Sequence, residues 1–216
     1  IGAVIQSTPV LLNDTVYFGA NNKVLYAVNL KTNRIVFATR LEESLANKNM
    51  VVANGAYIYF AVEGILYKLN RYNGKIMFKT TLEENLGGFA SAVDKVPVKA
   101  AVAIDNARVF VADSYGFIRA FDKVSGKLLW KKFAGYITGG QVFEHNGRVI
   151  GVSSNGWLVV VSAEDGKPIT SITRVGEVSG MPSRVGKLVY FPTRDNSVKV
   201  FNLETLSVIK EIRTHG

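Results

Sequence analysis

Short stretches in which apolar and polar residues alternate run along the whole chain. "NGAYIYFAVEGILY" and "NGRVIGVSSNGWLVV" are two examples, rich in Val, Ile, Tyr and Phe and opened by an Asn-Gly turn signal. A period of two bounded by turn residues is typical of β-strands joined by tight turns. No helical periodicity accompanies these stretches. The pattern therefore predicts an all-β chain.

An eleven-residue motif recurs five times, each time after such a strand–turn–strand stretch. Its third position always holds a short side chain that can accept a hydrogen bond from a backbone N–H about two residues further on, which initiates a turn. The copies span 27–37, 68–78, 120–130, 160–170 and 200–210, and the third position is Asn29, Asn70, Asp122, Ser162 and Asn202.

Two further positions of the motif carry structural information. The seventh is mostly Gly or Asn, the residues that reach positive φ most easily; it reads Asn33, Gly74, Gly126, Gly166 and finally Leu206, which departs from the rule. The eleventh is Phe37, Phe78 and Trp130 in the first three copies. We expect these aromatic side chains to pack between adjacent repeat units.

About four short strands per unit, repeated every ~40 residues, are typical of a β-propeller. Radial arrangement lets each four-stranded sheet bury both faces on its neighbours. We expect about five blades, belonging to a larger ring, at 7–42, 48–82, 99–134, 139–174 and 179–214. Residues 83–98 form an insertion between the second and third blades, which is either a specificity loop or a tolerated surface excursion.

Residues 120–130, "AFDKVSGKLLW", closely resemble the tryptophan-docking motif of the PQQ-like repeat. Ala120, Asp122, Gly126 and Trp130 match that motif, with Ser125 in place of Thr, and the run from 8 to 29 is similar to a blade opening of this family. The resemblance implies a PQQ-like propeller, closest to BamB-type outer-membrane assembly lipoproteins. The residues assigned to the structural blade motif are Asn29, Phe37, Asn70, Gly74, Phe78, Asp122, Gly126, Trp130, Gly166 and Asn202.

Composition narrows the chemistry that the chain can carry. The 216 residues include no cysteine, which excludes disulfides, thiolate metal sites and a cysteine nucleophile. The net charge is +9, but the basic residues are scattered, which favours a basic soluble surface over a nucleic-acid groove. The two histidines, His145 and His215, lie far apart in the sequence. We predict no catalytic, cofactor or metal residues.

The resemblance leaves three functions open. Quinoprotein dehydrogenases of this fold hold PQQ and calcium on the ring axis, commonly with a cysteine pair against the cofactor and about eight blades. A chain without cysteine and with about five blades fits them poorly, although a dehydrogenase fragment stays an alternative, as does a ligand-sensing domain of a larger membrane protein. We favour a non-catalytic scaffold that binds protein partners in outer-membrane assembly and binds no nucleic acid.

The scaffold hypothesis implies a location and a site. BamB-like proteins contact their partners through inter-blade loops with an apolar residue followed by Arg, and "SITRVGEVSG" at 171–180 resembles such a loop in Ile172 and Arg174. An ordinary arginine at a strand end would look the same. The resemblance also implies a periplasmic protein, associated with the outer membrane and anchored by a lipid upstream of Ile1. No apolar stretch in the sequence approaches the ~20 residues of a membrane-spanning helix.

Overall fold

Five four-stranded antiparallel sheets make up the fold. The computed structural model describes residues 2–5, 7–43, 52–84, 94–95, 102–135, 141–153, 155–180 and 182–214. Within every four-stranded sheet the strands pair in chain order, each with the next. The prediction of an all-β propeller with about five blades is confirmed.

The blades follow one another along the chain. Their strands are β1 (Val10–Leu12), β2 (Thr15–Ala20), β3 (Val24–Asn29) and β4 (Arg34–Arg40) in blade 1; β5 (Val52–Asn54), β6 (Tyr57–Val62), β7 (Ile65–Asn70) and β8 (Ile76–Thr81) in blade 2; β11 (Val102–Ile104), β12 (Arg108–Ala112), β13 (Phe117–Asp122) and β14 (Leu128–Phe133) in blade 3; β15 (Val142–His145), β16 (Arg148–Val152), β17 (Trp157–Ser162) and β18 (Pro168–Arg174) in blade 4; and β19 (Ser183–Val185), β20 (Leu188–Thr193), β21 (Ser197–Asn202) and β22 (Ser207–Arg213) in blade 5. A separate two-stranded ladder joins β9 (Glu83–Glu84) to β10 (Asp94–Lys95).

The core lies between the blades. Tyr17, Ala27 and Phe37 are cross-strand partners on one face of blade 1, and they share a buried cluster with residues of blade 2 such as Ile58 and Phe60. Three more clusters join blades 2 and 3, 3 and 4, and 4 and 5 in the same way. Both faces of an internal blade are therefore buried, and apolar residues occupy successive positions of its middle strands.

The turn between the third and fourth strands has the same geometry in all five blades. The third motif position accepts a hydrogen bond from the backbone N–H two residues on: Asn29 from Lys31, Asn70 from Tyr72, Asp122 from Val124, Ser162 from Glu164 and Asn202 from Glu204. The seventh position has positive φ throughout. Leu206 adopts φ 53° like its glycine and asparagine counterparts, so the turn is kept even where the residue type disfavours it.

Each of these turns, from blade 2 onward, lies against the blade before it. A polar side chain of the preceding blade donates a hydrogen bond to a turn carbonyl in every case: Tyr17 to Arg71, Lys68 to Lys123, Trp130 to Ala163 and Arg148 to Glu204. Thr39 and Thr80 donate further bonds to the carbonyls of Gly74 and Gly126. The motif therefore makes contacts across the junction between two blades as well as within its own blade.

The turn glycines are also required by space. A Cβ on Gly74 would lie 2.5 Å from the Phe37 ring, one on Gly126 would lie 2.7 Å from Phe78, and one on Gly166 would lie 2.7 Å from Trp130. The aromatic residue at the eleventh position of one blade thus packs directly on the glycine of the next.

We expect Gly126→Ala to lower the free energy of unfolding much more than Gly55→Ala. Both glycines have positive φ, +72° and +58°, and so share a strain of ~1–2 kcal/mol in an alanine variant. Only Gly126 would also clash with Phe78 and Thr80, which adds ~1–3 kcal/mol. Urea unfolding of the two variants measures the difference, and equal midpoints would contradict the packing role.

Trp130→Ala should destabilise the protein by ~2–4 kcal/mol, because the substitution removes a large, partly buried side chain from the junction of blades 3 and 4. Trp130→Phe keeps most of the ring contact and loses the hydrogen bond to Ala163, so its cost should be ~1 kcal/mol. Thermal and urea unfolding test both values. An unchanged melting temperature for Trp130→Ala would show that the junction does not depend on this ring.

Candidate partner-binding surface

Trp157 and Arg174 form an exposed pair on blade 4. Trp157 begins β17 and Arg174 ends β18, and the two are Cα partners across the ladder. The Arg174 guanidinium carbon lies 5.5 Å from the centroid of the indole, which is within cation–π range. Trp157 keeps 44% of its surface exposed. A large aromatic ring and a cation are therefore presented to solvent together.

The backbone beneath this pair is tightly held. Ser153 is buried, and its hydroxyl accepts a hydrogen bond of 2.8 Å from the Trp157 N–H. The Val175 N–H donates to the carbonyl of Gly156, and the Val175 side chain is buried in the junction with blade 5. A Cβ on Gly156 would overlap the Gly176 carbonyl, so only glycine fits there. Contacts at Trp157, its cross-strand partner, and at Val175, its chain neighbour, therefore fix the backbone position of Arg174.

Blade 3 carries a matching pair at the same ladder position. Phe117 begins β13, Phe133 ends β14, and their rings meet edge to face with centroids 5.4 Å apart. Phe133 is 60% exposed, and the Lys131 ammonium lies 4.8 Å from the Phe117 centroid. We call Phe117, Lys131, Phe133, Trp157 and Arg174 the aromatic corner.

A buried ion pair supports the blade 3 half of this corner. Arg119 Nε donates to Asp113 Oδ2 at 2.8 Å, and both side chains are almost fully buried. The other carboxylate oxygen of Asp113 accepts the backbone N–H groups of Tyr115 and Phe117. Removal of either charge would break a buried ion pair, which is costly. The hairpin that carries Phe117 is thus stabilised by a buried polar network in addition to its apolar contacts.

The hairpin of blade 5 carries a related polar network that is less buried. Asp195 accepts hydrogen bonds from the hydroxyls of Thr193 and Ser197 and forms an ion pair with Lys199 at 3.1 Å. These hydrogen bonds hold the pKa of the Asp195 carboxyl well below its usual range. The blade 5 counterpart of the Trp157–Arg174 pair is Ser197–Arg213, which lacks an aromatic ring.

The residues predicted from the sequence fall into two groups. Those of the blade motif lie at or beside the turns between third and fourth strands, at the opposite end of the blades from the aromatic corner. Arg174 lies in the corner and its Nε donates to the Asn155 carbonyl at 3.3 Å. Ile172 lies within β18, and its side chain is outside the part of the chain that the structure describes. Trp157, Phe117 and Phe133 were not predicted.

First strands of blades 2 to 5 line a cavity of about 360 Å³ whose walls are mainly apolar, with Gln141, Glu144 and Arg184 as the polar residues. Arg184 donates to the Glu144 and Gly186 carbonyls. Calcium requires six or more oxygen ligands, usually with several carboxylates. The described lining of this cavity supplies one carboxylate, that of Glu144. Across the described residues, no three His, Cys, Asp or Glu side chains come together as a metal site.

The described part of the chain contains no helix that is long and apolar enough to cross a membrane.

Comparison with known structures gives the same architecture from several sources. BamB from Moraxella catarrhalis matches with a TM-score of 0.67 and 18% identity, over 99% of this chain and 64% of the BamB chain. The computationally designed Ika8 protein matches with a TM-score of 0.75 and 14% identity, over 98% and 62%. Quinohemoprotein alcohol dehydrogenase from Comamonas testosteroni matches with a TM-score of 0.69 and 12% identity, over 99% and 43%. At these identities the likeness shows the fold only, and the chain spans less than two thirds of each of these proteins.

Sequence comparison is more specific. No curated protein matches the chain. The family model described as outer membrane protein assembly factor BamB matches residues 2–80 and 114–209, which is well over half of the sequence. Together with the five blades of the structure, this match shows that the chain belongs to the BamB family of PQQ-like repeat β-propellers.

Proposed function

We propose that the chain is a non-catalytic scaffold that binds protein partners in outer-membrane protein assembly, on the periplasmic side of that membrane. The observation that carries the proposal is the family match over residues 2–80 and 114–209. A lipid anchor upstream of Ile1 belongs to the same proposal. In this role the contacts of Trp130 on Gly166 and Ala163 serve as a docking element that keeps blades 3 and 4 in register.

The aromatic corner is the surface that we assign to partner binding. Trp, Phe and Arg side chains are enriched at protein interfaces. The aromatic rings bury a large area at a small cost in conformational entropy, and arginine adds charged hydrogen bonds. Both charged residues of the corner, Lys131 and Arg174, are cations. The partner surface should therefore offer an apolar pocket bordered by carboxylates. Arg174 and Ile172 are the proposed contacts from the sequence, and Trp157 is added from the structure.

Quinoprotein catalysis is the competing function, since a quinohemoprotein dehydrogenase shares the fold. The cavity between the first strands has one carboxylate, that of Glu144, in its described lining, which weighs against a calcium-bound cofactor there. We expect PQQ with calcium to leave the melting temperature of the protein unchanged, because a ligand stabilises only the state that binds it. A rise in melting temperature that saturates with PQQ and requires calcium would favour the dehydrogenase and contradict the scaffold proposal.

Arg174→Glu should weaken capture of outer-membrane assembly proteins by about thirtyfold, the scale of a hot-spot residue, while the melting temperature stays the same. Arg213→Glu is the matched control: it makes the same charge change at the equivalent ladder position of blade 5, where no aromatic ring is paired with the arginine. Quantitative pull-down from solubilised envelopes, with partners identified by mass spectrometry, measures both variants. Equal losses for the two would show that net charge, and not the aromatic corner, governs binding.

A further inference from the structure

A second exposed surface lies at the opposite end of the blades, on the turns and the adjoining edge strands of blades 2 and 3. Residues 71–77 (RYNGKIM) and 123–129 (KVSGKLL), which we call the basic rim, each place an apolar residue at the turn tip and an apolar pair at the start of the fourth strand. Tyr72 is 60% exposed and Val124 is 81% exposed. The pairs Ile76–Met77 and Leu128–Leu129 are also exposed.

The charges of the basic rim have one sign. Its cationic side chains are Arg71, Lys75, Lys123 and Lys127. The Lys123 ammonium donates to the carbonyls of Asp105 and Asn106, and Asp122 directly precedes the second segment. Lys75 and Lys127 are exposed and have no ion-pair partner among the described residues. Arg34 extends this basic character to the turn of blade 1, where Lys31 is paired with Asp14 at 2.8 Å.

The same turns in blades 4 and 5 have a different character. Their tips are Glu164 and Glu204, and the lysine that follows in blade 4, Lys167, is paired with Asp165 at 2.7 Å. Counted from the third to the eighth motif position, net charge is +2, +2 and +1 in blades 1 to 3 and −1 in each of blades 4 and 5. The cationic turns with exposed apolar tips are therefore confined to one side of the propeller.

The rim is presented by rigid backbone. Asn70 and Asp122 cap the two turns, and Thr39 and Thr80 bind the turn glycines from the neighbouring blades. The Arg71 guanidinium carbon lies 4.7 Å from the centroid of the Tyr72 ring and its Nη2 donates to the Tyr72 hydroxyl, so the tip of blade 2 is also braced. The backbone of the rim would therefore need little further ordering when it contacts a binding surface.

We infer that the basic rim docks on the surface of an anionic lipid bilayer. Single apolar side chains on protruding tips can enter the interfacial layer to a shallow depth, while lysine and arginine beside them meet the phosphate groups. Tyrosine is favoured at that depth, because its ring is apolar and its hydroxyl is polar. The charge is complementary to anionic headgroups, and the tips project outward, as a flat surface requires. A protein partner would instead favour a contiguous patch with a desolvated centre.

This orientation agrees with the proposed scaffold role without depending on it. The basic rim is at the turn end of the blades and the aromatic corner is at the hairpin end. Docking through the rim therefore leaves the corner facing away from the bilayer, where a soluble domain of a partner can reach it.

Vesicle flotation with the full chain tests the inference. We expect binding to phosphatidylcholine vesicles containing about 30% phosphatidylglycerol, and at least tenfold weaker binding to phosphatidylcholine alone. Lys75→Glu with Lys127→Glu should reduce binding to the anionic vesicles at least tenfold, whereas Lys167→Glu with Lys210→Glu, the same net change in blades 4 and 5, should have little effect. Equal losses in the two double variants would overturn the assignment to the basic rim.

Insertion of the tips is tested separately. Val124→Trp should show a blue-shifted emission and protection from aqueous quenchers on anionic vesicles, and Glu164→Trp, at the same turn position of blade 4, should show neither. Tyr72→Ser with Val124→Ser should weaken binding several-fold at constant charge. If these serine substitutions leave binding unchanged, or if an acidic polypeptide competes fully with the vesicles, the rim is a plain cationic surface and the bilayer inference is wrong.

Discussion

The contact between the turn of one blade and the outer strand of the blade before it is the constraint on which the rest of the structure depends. A glycine with positive φ brings the turn backbone against Phe37, Phe78 or Trp130, and a side chain across the junction satisfies a turn carbonyl. A four-stranded sheet by itself would leave one or both apolar faces in water. Because each blade is completed by its neighbour, stability is shared along the series of junctions rather than held in one central core.

This arrangement divides the surface by position along the strands. Middle strands are buried on both faces by adjacent blades, so substitutions there act mainly on stability. Several side chains at strand ends and turn tips lie outside the junctions and reach solvent. The aromatic corner and the basic rim both use such positions, at opposite ends of the blades. Junction contacts fix the backbone of the rim, and hydrogen bonds within the hairpins fix that of the corner. Binding surfaces of this kind are preorganised, so binding costs no further conformational entropy of the backbone.

Prediction from the sequence succeeded where the signal was periodic. The five motif copies indicated the number of blades, and the capping residues and glycines indicated the turns. Leu206 shows the limit of this reasoning: the residue type argues against positive φ, yet packing of the turn between blades 4 and 5 imposes it. Arg174 was predicted from a family resemblance, whereas Trp157 was missed. Alternation in β17 gave no sign of its exposure, since Leu158 and Val159 pack into different junctions and only the end position reaches solvent.

The sequence by itself determined the all-β class, the four-strand repeat and the turn chemistry, because these depend on local conformation and on period. The family was indicated separately, by the resemblance of residues 120–130 to a known repeat motif. Only the tertiary structure decided which aromatic rings are buried and which are presented to solvent. Phe121 and Phe133 illustrate the difference: both belong to blade 3, but one is buried in the junction with blade 2 and the other lies exposed at a strand end. Exposure is a property of neighbouring blades, and the contacts that set it join residues about forty positions apart in the chain.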